Sequence, residues 1–140
     1  MRVEAEALRR NYGQIRDSVG PEATLLPMVK ADGYGVGAGD VVSCLEPLDP
    51  WGFGVAAVSE GAALRGLGVA RPIVVCSPVP MGELEAAIRH DLQPFVSSLG
   101  ALDALAAAAE GAGRVAAWHL DVDTGMGRSG FDWRDADAWL

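Results

Sequence analysis

Apolar residues change their spacing at regular intervals along the chain, and the changes predict alternating helices and strands. Leu8, Tyr12, Ile15 and Val19 recur at three- and four-residue steps, so residues 5–18 read as an amphipathic helix stopping at Gly20-Pro21. Residues 25–29 are apolar almost without a break and predict a short strand. A helix is expected over 40–45, with Val41, Val42 and Leu45 on its apolar side and Pro47 near its end. WGFGVAAV (51–58) predicts a second strand, and Ser59 as N-cap before Glu60 predicts a helix through Leu64 and Leu67 to Gly68. PIVVCSP (72–78) and LQPFVSS (92–98) predict two further strands. Helices are expected from 81 to 90, with Leu84, Ala87 and Ile88 inward, and from Leu99 to the EGAG stop at 110–113. VAAWHLDVDT (115–124) reads as the longest strand, and Asp132 opens a last helix.

Strand and helix thus alternate five times, and several strands are continuously apolar rather than alternating. Strands of that kind are buried on both faces, as in a parallel sheet covered by helices. Two α/β architectures satisfy the pattern: an open doubly wound sheet, or part of a (β/α)8 barrel, which runs to about 250 residues when complete. Both place ligands at the carboxyl ends of the strands. Lys30 and the segment DTGMGR (123–128) fall there.

Composition narrows the classes of function. The chain has 140 residues, half of them hydrophobic, enough for one domain with a real core. A net charge of −8 argues against nucleic acid as a partner, since phosphate binding needs a concentrated basic face. No apolar run reaches membrane-spanning length, and the N-terminus lacks the apolar stretch of a signal peptide. Cys44 and Cys76 stand far apart with no histidine at metal spacing, which favours ordinary thiols in a reducing cytoplasm over a disulfide or metal site.

The candidate chemistry sits at two strand ends. Lys30 is the only lysine, delivered by an apolar strand into the glycine-rich DGYGVG. One reading is a side chain whose stem covers the strand end while its ammonium reaches water. The other is an amine held for imine chemistry with an aldehyde. Tyr34 either lids the sheet or offers its hydroxyl to a phosphate. In WHLDVDTGMGRSGF (118–131), alternation puts His119, Asp121 and Asp123 on one face. Two carboxylates there need partners, and Arg128 is the natural one, either in a structural ion-pair network or in a site. His119 reads as a satisfied core histidine, and His90 as a capping residue.

LPMVKADGYGVG followed by WHLDVDTGMGRSGF strongly resembles the alanine racemase family, and ALRRNYGQIR and GFGVAAVSEGAALRGLGVARPIVVCSPVP run along the same pattern. The resemblance covers essentially the whole chain. It implies a partial (β/α)8 barrel of about five units with parallel strands. It also implies a pyridoxal 5'-phosphate enzyme that interconverts L- and D-alanine for peptidoglycan, cytoplasmic, and a homodimer when full length. Racemases for serine or another amino acid, and a non-catalytic pyridoxal-phosphate binder, remain alternatives. By the resemblance, Lys30 carries the cofactor and serves as base on the D-alanine side, Tyr34 contacts the cofactor phosphate, and Arg128 holds the substrate carboxylate. Where many members carry a carboxylated lysine that braces the arginine, this chain has Asp121, expected to brace Arg128 with its own carboxylate; Asp123 is the competing partner. Val36 replaces a frequent histidine. The resemblance further implies that residues 1–140 are the N-terminal portion of a longer enzyme. The rest of the barrel, a β-domain and the second base would then lie elsewhere, and the isolated portion is expected to be weakly stable and inactive.

Overall fold

The computed structural model describes residues 4–139, in which helices alternate with parallel strands. Helix α1 (Ala5–Val19) closes at Gly20, whose φ of 82° ends the helical path. Then come α2 (Ala38–Leu45), β1 (Phe53–Val55), α3 (Val58–Gly66), β2 (Ile73–Pro78), α4 (Leu84–Arg89), β3 (Gln93–Val96), α5 (Leu99–Gly111) and β4 (His119–Leu120). Two short strands, β5 (Val122–Asp123) and β6 (Phe131–Asp132), pair with each other, and α6 (Ala136–Trp139) completes the series. Asp132 opens that last helical stretch as expected, its carboxylate accepting from the Arg134 N–H.

β1, β2, β3 and β4 form one sheet in that spatial order, every pair parallel. A doubly wound sheet reverses its strand order at a switch point. Here the order in space is the order in sequence, which is the wall of a (β/α)8 barrel.

The predicted strands are shorter than expected: 51–58 pairs only at Phe53–Val55, with Val58 already in α3, and 92–98 only at Gln93–Val96; two others fall further short. Residues 25–29 make a single bridge, Met28 to Gly54, because Pro27 has no N–H to donate. The segment still lies parallel to β1: the carbonyls of Leu25 and Pro27 accept from Trp51 and Gly54, and the Val29 N–H donates to Gly54. Residues 115–124, read as the longest strand, pair only at His119–Leu120 and Val122–Asp123. β3 offers only four residues, and the Asp121 N–H on the Val96 carbonyl is the last rung before the chain leaves the sheet. Upstream, Val115 is 99% exposed.

The core lies between the helices and the outer face of the wall. Val29, Phe53, Val55, Ile73 and Val75 pack against Tyr12, Val41, Leu45 and Leu64. Each large side chain fully buried in this way contributes about 1.5–3 kcal/mol. A second cluster (Leu84, Ile88, Val96, Leu105, Ala109) seats the alanine-rich α5. On the inner face a Cβ at Gly54 would collide with Met28 Sδ, so only glycine lets Met28 cross there.

Among the described residues no helix is long and apolar enough to cross a membrane, and no group of three or more His, Cys, Asp or Glu is placed to hold a metal ion. Cys44 and Cys76 are both free thiols.

Candidate active site

Val29 is buried at the end of its segment, and the next residue, Lys30, is half-buried where the chain leaves the sheet. The turn after Lys30 is not an ordinary helix. Ala31, Asp32, Gly33 and Tyr34 have φ of 50°, 53°, 62° and 57° with ψ of 37–49°, one turn of left-handed helix. Left-handed backbone costs L-residues roughly 1–2 kcal/mol each, and three of these four carry a side chain. Strain of this kind persists only where the surroundings enforce it, and it concentrates at functional sites.

The surroundings do enforce it. The Gly33 N–H donates to the Val29 carbonyl and the Gly37 N–H to the Asp32 carbonyl, both at 2.8 Å. Asp32 Oδ1 accepts from the Ala38 N–H at 2.8 Å, which caps α2. From the other side, Glu60 Oε1 accepts the Ala31 N–H at 2.6 Å. Glu60 also replaces the expected Ser59 cap. Helix α3 starts two residues earlier, Ala57 at its N-cap has no side chain able to accept, and Glu60 Oε2 takes the N–H groups of Ala56 and Ala57. An acidic side chain at the third helical position was the only sequence signal for this residue.

The turn brings Lys30 and Tyr34 together, with Nζ 6.0 Å from the phenol ring centroid. Tyr34 is 63% exposed, so the ring lies over the sheet end rather than in the core. Among the described residues the Lys30 amine has no ion-pair partner. Its charge reaches Cys76 at the end of β2: burial pushes the Cys76 thiol up, and the Lys30 ammonium partly offsets this.

The second strand end is organised differently from expectation. Arg128 is exposed, and neither Asp121 nor Asp123 pairs with it among the described residues. Asp121 Oδ2 instead accepts from the hydroxyls of Ser97 (3.0 Å) and Ser129 (2.8 Å). Asp123 turns back on its own loop, accepting from the Gly125 and Gly127 N–H groups. Those amides, Gly127 first, hold its carboxyl below the usual carboxylate range. The reason is reach: each short carboxylate is occupied by donors that flank it before the loop carries Arg128 outward. Gly130, with φ of 111°, returns the chain so close to residues 121–123 that a Cβ would meet the Asp123 nitrogen. The sequence carries no signal that Ser97 and Ser129, 24 and 8 residues away, are the partners of Asp121. His119, expected in the core, is only half-buried, but it is satisfied, with Nε2 2.9 Å from Gln93 Oε1 and its ring near Phe95 and Trp51.

The chain matches the alanine racemase N-terminal domain over residues 3–140. It is 36% identical over 129 residues to the alanine racemase of Desulforamulus reducens, covering 92% of this chain and 35% of that protein. The solved alanine racemase of Clostridium difficile superposes with a TM-score of 0.86 at 31% identity, over 89% of this chain and 33% of that one. The histidine racemase of Leuconostoc mesenteroides subsp. sake superposes with a TM-score of 0.84 at 26% identity, over 94% and 35% of the two chains. The chain thus spans about a third of the length of the curated relatives it matches. A barrel wall in sequence order, with its single lysine on a strained turn at the carboxyl end, belongs to a chain that is a member of the alanine racemase N-terminal domain family.

Proposed function

We propose that this chain is the lysine-bearing, N-terminal part of a racemase that uses pyridoxal 5'-phosphate to interconvert L- and D-alanine, in the cytoplasm, for peptidoglycan. The observation that carries the proposal is Lys30. It is the one lysine of the sequence, without an ionic partner among the described residues, and it is held on a left-handed turn at the ligand-binding end of a barrel wall. The donor set fits the cofactor: its aldehyde needs a primary amine and its phosphate needs hydrogen-bond donors, and Lys30 and Tyr34 supply one of each.

When bound, the cofactor supplies an electron sink that makes the α-proton of an amino acid acidic. The residues of this chain do the rest. Lys30 Nζ would hold the cofactor and would take or return the proton at the α-carbon on one face. The Tyr34 hydroxyl would donate to its phosphate. Arg128 would grip the substrate carboxylate through its planar fork. Asp121 supports Arg128 indirectly, through Ser129 as the next residue, and Asp123 fixes the loop between them. A base for the opposite face, further phosphate contacts and a dimer interface would come from the remainder of a longer protein; relatives of about three times the length support this.

Borohydride reduction of the full-length protein with pyridoxal phosphate, followed by peptide mapping, tests the assignment. The reduced cofactor is expected on Lys30; attachment to another lysine ends it. The likeness to a histidine racemase supports a second reading, turnover of a different amino acid. Racemisation rates across alanine, serine and histidine decide, with alanine expected fastest.

A further inference from the structure

We infer that Glu60, a residue of helix α3, is a positioning residue for Lys30: its carboxylate sets the left-handed turn that fixes the amine relative to Tyr34. The inference rests on the pyridoxal-phosphate reading above. A glutamate at the third helical position ordinarily reaches back to the N–H of the N-cap residue and is then spent. Glu60 does this with one oxygen, taking the Ala57 N–H at 3.1 Å and the Ala56 N–H at 2.8 Å. Its other oxygen is free of that duty and spans 29 positions of sequence to the Ala31 N–H, at 2.6 Å the shortest of the three bonds. Nothing in the helix requires this bond. Its effect falls on the residue directly after Lys30.

Ala31 is the first left-handed residue, and its side chain gains nothing from that conformation. Downstream, Asp32 and the Gly33 and Gly37 amides hold the turn through their own bonds. At its start, the Ala31 N–H has Glu60 as its acceptor. Lys30 and Tyr34 stand at the two ends of the stretch so fixed, with amine and ring 6.0 Å apart. A ligand gripped at both, by an aldehyde on the amine and a phosphate at the phenol, senses that spacing. A small aldehyde gripped only at the amine does not. This difference separates positioning from mere stability.

The experiment measures borohydride trapping at Lys30 in the full-length protein, with pyridoxal phosphate and with propanal, for wild type, Glu60→Gln, Glu60→Ala and Leu105→Ala. Leu105 lies in the second core cluster, so its variant reports lost stability alone. Glu60→Gln sets an amide NH2 against backbone donors and should trap pyridoxal phosphate at least about tenfold more slowly, as misplaced reacting groups do. It should trap propanal at the wild-type rate, and Leu105→Ala should keep the wild-type ratio of the two rates. An unchanged ratio in both Glu60 variants, or equal slowing with both aldehydes, overturns the inference. In the unmodified protein the Ala31 amide should be protected from hydrogen exchange, and free exchange there overturns it whatever the variants do. Failure of the wild type to trap pyridoxal phosphate at Lys30 would instead remove the racemase reading, and this inference with it.

Discussion

The two strand ends that carry the candidate chemistry are built by opposite means. Lys30 follows a buried valine on a segment paired with β1, and its turn is tied to α2 through Asp32 and to α3 through Glu60. Arg128 sits in an exposed loop between two-residue strands, and Asp123 ties that loop mainly to itself. Asp121 reaches back to the sheet, with its carboxylate to the Ser97 hydroxyl and its N–H to the Val96 carbonyl. Local hydrogen bonds give a loop its shape, whereas long-range ones give it a place. In the proposed function the amine must meet one atom of a fixed ligand, which needs a place. In the same proposal the arginine receives an incoming carboxylate, which a loop with a shape and few tethers allows.

Substitutions from the core outward test how differently the two strand ends are held. Phe53 is fully buried behind the Lys30 segment, and Phe53→Ala should lower the unfolding free energy by about 3–5 kcal/mol in chemical denaturation. A loss below about 1 kcal/mol would mean that the wall behind Lys30 is less tightly packed than its burial indicates. Next in size is Asp121→Ala, which leaves the Ser97 and Ser129 hydroxyls without their acceptor at a cost of about 1–3 kcal/mol. In the full-length protein, under the proposed function, it should raise KM for alanine while leaving cofactor trapping at Lys30 near the wild-type rate. Unchanged KM would show that the Arg128 loop keeps its place without the tether.

Smaller and of opposite sign is Ala31→Gly. Relief of a left-handed alanine, set against the larger chain entropy of glycine, should stabilise by roughly 0.5–1 kcal/mol. A fall in melting temperature would contradict a left-handed turn in solution.

The smallest effect is on acidity. The Gly127 and Gly125 amides lower the Asp123 pKa in the folded chain, so its contribution to stability is complete above the unfolded value of about 3.9. It is lost as pH falls through the lower folded value. The stability difference between wild type and Asp123→Asn should therefore shrink on acidification below about pH 4. A gap that widened there would reverse the assigned direction.

Much of the fold was legible because it depends on close neighbours in sequence. The three- and four-residue steps of Leu8, Tyr12 and Ile15 predict one helix, and that helix runs Ala5–Val19, although only Tyr12 of the stripe is buried and Ile15 is 54% exposed. Continuous apolar runs at 73–75 and 53–55 are strands buried on both faces. The position of Lys30 at a strand end could be read in the same way, as could Asp132 as a cap. Segment 115–124 could not: a strand exists only where a neighbour offers backbone partners, and β3 offers few.

The amino-acid sequence alone therefore determined the alternation of elements, the family and the presence of a single amine at the ligand-binding end. Tertiary structure decided which polar atoms meet. Asp121 has Arg128 seven residues away in sequence, yet it bonds Ser97 across the sheet. Glu60 looks like a helix cap, yet it also reaches the residue after Lys30. The handedness of that turn was equally hidden, since isolated L-residues avoid it and bonds from two other elements help to hold it in place. Periodicity is a property of the chain, but a hydrogen-bond partner is whatever the packed fold brings within about 3 Å.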